Sequence, residues 1–235
     1  MRPQVPRDRR HPGDAAGRRR TLAEDRQGRP ARAAHDGARQ SRLMKDLDDL
    51  LGILTGGDDP AAELAVTAIA DYGAAALPSL IQLAQDPDPD RRWWAVRALA
   101  ALQPPDNLPA LITALNDPEE DVRLCAALAI RENPTPDAVS PLVEMLADDD
   151  RLLARLAGDA LVAIGKPATG ALLEAVINAP QAARLEACRS LAAIGDLDSV
   201  TTLFKLLDDN SAMLEYWANE GLERMGIGMS FFRPG

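Results

Sequence analysis

Two apolar registers advance together along this chain, each returning every 30 or 31 residues. The first runs Ile69, Leu99, Ile130, Leu161, Leu191 and Leu222. Four places before each anchor stands Ala65, Ala95, Ala126, Ala157, Ala187 or Ala218, and one place before stands Ala68, Ala98, Ala129, Ala160, Ser190 or Gly221. Three places after, the residue is apolar (Tyr72, Leu102, Ile164, Ile194, Met225) except at Asn133. This spacing draws one stripe down a helix, and the small residues allow a neighbouring helix to come close. The second register, Leu50, Leu80, Leu111, Leu142, Leu172 and Leu203, falls between the anchors of the first. It carries apolar company at −3 (Leu47, Leu77, Leu108, Val139, Val200, with Thr169 departing) and at +1 (Leu51, Ile81, Ile112, Val143, Leu173, Phe204). Each period therefore holds two amphipathic helices, A then B. Such pairs bury too little alone and must stack on their neighbours, so the expected fold is an all-α solenoid of about five full repeats plus end helices.

The punctuation agrees with that reading. Between a B helix and the next A helix come Asp58-Asp59-Pro60, Asp86-Pro87-Asp88-Pro89, Asp117-Pro118, Asp148-Asp149-Asp150, Ala179-Pro180 and Asp208-Asp209-Asn210. Asp caps a helix start and Pro suits its first turn. Between A and B come Gly73, Gly165, Gly195 and Gly226, with Pro104-Pro105 and Pro134 at the other turns, and Gly in that place stops a helix. The apolar residues point the same way. They make up 46% of the chain but only 3% of it is aromatic, and the Ala and Leu that dominate favour helix over strand.

Charge divides the chain. Residues 1–43 hold 12 Arg and no Lys against 5 acids, whereas residues 44–235 hold 14 basic residues against 31 acids. The first stretch has almost no large apolar side chain and is expected to be a disordered, basic Arg/Pro/Ala-rich extension. Three readings compete for it: a nucleic-acid-binding arm, a targeting segment, or an artefact of start-site choice with translation beginning at Met44. The abrupt change of composition where the helical pattern starts favours the third. The repeat region is expected over 44–228, followed by a tail over 229–235. No run of 18 apolar residues exists to span a membrane. Cys125 and Cys188 lie in apolar helical surroundings with no CxxC pairing, which points to reduced, buried thiols and a cytoplasmic setting.

A two-helix repeat of this length with Asp-Pro turns, an Arg just inside helix A and an Ala-rich A helix ending in Gly resembles the phycobilisome-lyase-type HEAT-like repeat. The residues carrying the likeness are Asp117-Pro118-Glu119-Glu120-Asp121-Val122-Arg123 with Ala126-Ala127, Ala163-Ile164-Gly165, and Arg184 with Ala187 and Ile194-Gly195-Asp196. The resemblance spans about 58–226. It implies an armadillo-type right-handed superhelix and three kinds of function: a scaffold, a bilin lyase subunit, or an iron-dependent deoxyhypusine-hydroxylase-like oxidoreductase.

The residues present discriminate among these. The hydroxylases hold iron through His-Glu pairs, but the only histidines here are His11 and His35, outside the repeats. A His-ligated metal site or a Ser/Cys-His nucleophile is thereby excluded from 44–235. The short His-Cys motif of bilin isomerase-lyases is also absent. No catalytic residue and no metal are expected, and no cofactor unless a bilin is bound. Arg92, Arg123 and Arg184 are expected to form a structural ladder, each near an Asp of an adjacent turn, rather than a phosphate site. The acidic balance of the repeats argues against nucleic acid.

A protein or peptide partner is therefore the leading expectation, with a related HEAT-repeat subunit as one candidate and no membrane. In this family the B helices line the concave face. Their outward rows here are Ser79, Ala110, Pro141, Ala171, Thr202 and then Gln82, Thr113, Glu144, Glu174, Lys205. The row six before the A anchors (Glu63, Trp93, Leu124, Arg155, Leu185, Tyr216) should point partly outward yet is largely apolar. Trp93, Trp94 and Tyr216 are thus either packing between A helices or partner anchors, as aromatic side chains often are at interfaces. Phe231 and Phe232 cap the last repeat or face another chain.

Overall fold

The computed structural model describes residues 46–227. The expected extension over 1–43 with His11 and His35, and the tail with Phe231 and Phe232, lie outside the described residues. The repeat-bearing unit begins at Asp49. All regular structure among its described residues is helical. After helical residues 49–54, long A-type helices alternate with shorter B-type helices. The A-type helices are α1 (Asp59–Ala70), α3 (Pro89–Ala101), α5 (Glu120–Glu132), α7 (Arg151–Ile164), α9 (Gln181–Ile194) and α11 (Ala212–Arg224). The B-type helices are α2 (Leu77–Leu83), α4 (Leu108–Ala114), α6 (Val139–Met145), α8 (Thr169–Asn178) and α10 (Val200–Leu206).

Side chains explain where the helices start. The Asp58 carboxylate accepts from the Ala61 amide, Asp88 from Asp90 and Asp150 from Leu152, each satisfying a first-turn donor that the helix itself leaves bare. Two exits need glycine outright: Gly165 turns at φ 76°, ψ −139°, and Gly195 is left-handed at φ 67°, ψ 28°. α3 has no glycine exit. There the buried Asn107 donates from Nδ2 to the carbonyls of Leu99 (2.9 Å) and Leu102 (3.1 Å), holding the end of the helix in its place. Asn133, the one departure from the apolar pattern, is the C-cap of α5. Between A and B the chain takes single 3-10 turns at Gly73–Ala75, Pro136–Ala138, Lys166–Ala168 and Leu197–Ser199, which the apolar pattern does not announce.

Packing is between repeats more than within them. Each A helix lies on the next A helix, from α1 on α3 through to α9 on α11. Each B helix lies most extensively on the A helix that follows it: α2 on α3, α4 on α5, α6 on α7, α8 on α9 and α10 on α11. The A-helix anchors Ile69 through Leu222 and the −4 alanines are all buried. At about 1.5–3 kcal/mol for each large apolar side chain removed from water, this doubled row supplies most of the cohesion. The approach is closest at Gly221, where an added Cβ would lie 2.9 Å from both Cα and Cβ of Ala192.

The B-helix register is narrower than its apolar content. Leu80, Leu111, Leu142, Leu172 and Leu203 are wholly buried. Their +1 neighbours are not: Ile81 is 37% exposed and Phe204 41% exposed, with Ile112, Val143 and Leu173 half-buried. These short helices, seven to ten residues long, bury one stripe mainly against the A helix that follows, so the second stripe faces partly outward.

Candidate functional site

Three of the four joints between α3 and α11 carry the same fastening. Arg92 grips Asp117 through Nε and Nη2 at 2.8 and 2.9 Å, while its Nη1 donates to the carbonyls of Asp86 and Pro87. Arg123 repeats this on Asp148 (3.1 Å) and on the carbonyls of Asp117 and Pro118. Arg184 reaches Asp209 at 2.8 Å and the Val176 carbonyl. Each Arg thus reaches an Asp of the next entry turn, 25 residues on, while Arg92 and Arg123 also hold their own entry turn and Arg184 the end of α8. Burial pushes the Asp117 carboxyl up, but the Arg92 guanidinium and the Glu119 amide outweigh it, and the group sits below the usual carboxylate value. The hydrogen bond to Asp117 raises Arg92 in turn. The missing rung is instructive, because Ala154 and Ala179 occupy both of its positions.

At that joint other groups cluster. Arg189 is 6% exposed and is held by Glu186 at 2.7 Å, Asp159 at 2.8 Å and the Arg155 carbonyl. Gly158 opens the space for it: a Cβ there would meet Arg189 Nη2 at 2.6 Å. Lys166 bridges Asp196 and Asp198 at 3.2 and 3.3 Å, and Asp196 also accepts from the Thr169 hydroxyl. The Arg189 cluster is invisible to a linear register, which does not mark Gly158 as a hole.

Each thiol has an arginine near enough to favour the thiolate, Arg97 for Cys125 and Arg184 for Cys188, but burial outweighs it. Burial pushes Cys125 up to about 11 and Cys188 up to about 12. At pH 8 the folded chain should therefore react with iodoacetamide at least ~100-fold more slowly than a free thiol, and at the ordinary rate once unfolded in urea. Rapid alkylation of either cysteine in the native chain would contradict this placement. Among the described residues, no cluster of three His, Cys, Asp or Glu side chains is arranged to hold a metal ion. No single described helix is long and apolar enough to cross a membrane.

Two surface grooves gather some of the expected partner residues and leave others apart. The first, of about 690 Å³, runs between B helices α6 and α8. Val139, Val143, Ala147 and Ala171 line it, with Glu144 and Glu174 at its sides, and it reaches Ala179 of the missing rung. The second, of about 650 Å³, lies among the entry turns of α1, α3 and α5 and contains Trp93 and Trp94. These two rings meet edge to face with centroids 4.8 Å apart, and both are half-buried. Gln82, Thr113 and Lys205 are exposed on α2, α4 and α10, outside both grooves. Tyr216 lies on α11 outside both grooves, 55% exposed and edge-on to Trp217 at 5.1 Å.

Comparison with known proteins bears on the architecture. No curated protein matches the chain in sequence. The HEAT-like repeat protein of Thermococcus onnurineus NA1 superimposes with a TM-score of 0.54 at 18% identity, covering 76% of this chain and 80% of its own. The structure of the complex of CpcE and CpcF of phycocyanin lyase from Nostoc sp. PCC7120 gives 0.50 at 22% identity, over 63% of this chain and 98% of that one. At these identities the likeness is one of fold, and at that level the resemblance to the phycobilisome-lyase type of repeat holds. The family model for HEAT repeats matches residues 47–129 and 108–183, together more than half of the chain. With stacked helix pairs, capped entry turns and two buried registers, the chain belongs to the HEAT-repeat family.

Proposed function

We propose that this protein is a non-catalytic scaffold that holds a segment of another protein along its B helices. The observation that carries the reading is the outward apolar stripe beside exposed polar rows. Ile81 and Phe204 are exposed, and the groove between α6 and α8 sets Val139, Val143 and Ala171 between Glu144 and Glu174. A floor of small apolar side chains with a polar rim suits an inserted side chain of a partner, because the apolar contact supplies affinity and the rim selects. Bilin handling, by contrast, draws only on the fold shared with phycocyanin lyase.

The test is affinity capture with the full chain beside the variant Glu144→Lys/Glu174→Lys, whose changes are exposed and leave the helices intact. Partner recovery measured by quantitative mass spectrometry is expected to fall at least tenfold in the variant, and a second HEAT-repeat chain among the lost partners would identify a paired subunit. Equal recovery by both baits would remove the B-helix groove from consideration.

A further inference from the structure

The groove among the entry turns is separate from the B-helix face and shares no residue with the groove described there. The Trp93–Trp94 pair lines it, half-buried in a chain with only three tryptophans. The carboxylate-bearing Asp59, Asp90, Glu119 and Asp121 line it too. None of these four takes part in an ion pair among the described residues. Arg91, the one cation in the lining, is held at the side by Asp86 at 3.4 Å and Asp88 at 3.9 Å.

Negative charge at helix starts is accounted for by the helix dipole. The tryptophans are not. They could have packed between A helices, yet both line a cavity, and each indole face attracts a cation by roughly 0.5–2 kcal/mol depending on how dry the contact is. Carboxylates outside any ion pair and two indoles lining one cavity are together complementary to a guanidinium or an ammonium on an aliphatic stem: the stem lies on a ring and the charge meets an acid. The cavity, at about 650 Å³, has room for more than one such side chain. We propose that this groove is a docking site for a cationic peptide segment, with Trp93 and Trp94 receiving an Arg or Lys side chain that Asp90 and Asp121 neutralise.

The full chain would be titrated with an acetylated, amidated hexa-arginine peptide at 150 mM salt, following tryptophan fluorescence and calorimetry. Saturable one-to-one binding is expected. It should weaken at least tenfold in Trp94→Leu and in Asp90→Asn/Asp121→Asn, and stay unchanged in Asp149→Asn/Asp208→Asn, which removes the same charge from other entry turns. Circular dichroism on each variant checks that the helices persist; if Trp94→Leu fails to fold, the exposed-site Asp90→Asn/Asp121→Asn variant decides alone. An absence of binding would overturn the proposal. So would equal weakening in the two charge variants, since that marks attraction to the acidic chain as a whole.

Discussion

Replacing Gly221 with valine is expected to cost about 3 kcal/mol and to loosen the last repeat while the first ones hold. The new Cβ would lie 2.9 Å from the Cα of Ala192, which is backbone and cannot swing aside, and 3.1 Å from Leu203 Cδ1, which can. α11 must therefore back away from α9. The helix-propensity gain on leaving glycine, about 1 kcal/mol or less for a β-branched residue, does not offset that. Gly170 provides the contrast. It is exposed in α8 with nothing within 4 Å of an added Cβ, so Gly170→Ala should stabilise by up to ~1 kcal/mol. Urea denaturation gives the magnitudes, and amide exchange gives the location: protection should fall in α9 and α11 and persist from α1 to α5. A valine variant as stable as the parent, or one that loosens every repeat alike, would contradict the nearest-neighbour stack.

The second large effect belongs to the ladder. Arg92 and Asp117 side chains are 12% and 9% exposed, so removing one partner strands the other away from water. Arg92→Ala is expected to cost about 2–4 kcal/mol, and Arg92→Ala/Asp117→Ala less than the sum of the two single changes, with a coupling of about 1–3 kcal/mol. The pH dependence follows from Asp117, whose carboxyl lies below its ordinary value of 3.8 when folded. The stabilisation is complete above that value and is lost as the pH falls through the lower, folded one. The Arg92→Ala variant should lose this acid sensitivity at that rung. Strictly additive single and double variants would show that the pair has no mutual dependence, and the ladder would then be ornament on a stack held by its apolar rows.

Much of this was legible in the sequence because it is local and repeated. A helix stripe at −4, 0 and +3 is a statement about one helix, and six copies of it leave little freedom in how the helices meet. The alanines at −4 mark the close face, and the anchors beside them are buried as their spacing requires. What the registers did not carry was anything specific to one joint. The Asn107 cap depends on a side chain reaching back over eight residues to Leu99. The space for Arg189 depends on Gly158, a full repeat earlier and on another helix. The B helices departed in the opposite sense: their apolar residues at +1 accompany the buried anchors in sequence, yet each short helix lies mainly on the A helix after it and leaves Ile81 and Phe204 outside.

The pair of alanines at 154 and 179 gives the molecule a point of reference along its length. Where every other joint from α3 onward is clasped from turn to turn by an arginine, this one is clasped from helix to helix by Arg189 and from turn to turn by Lys166. A repeat array built from identical couplings would bend evenly, like a spring. One with a single different coupling bends unevenly, and the α6–α8 groove reaches that coupling at Ala179 and Ala183. On the proposed function, an occupant of the groove would rest on both sides of this joint, on α8 and on Ala183 of α9.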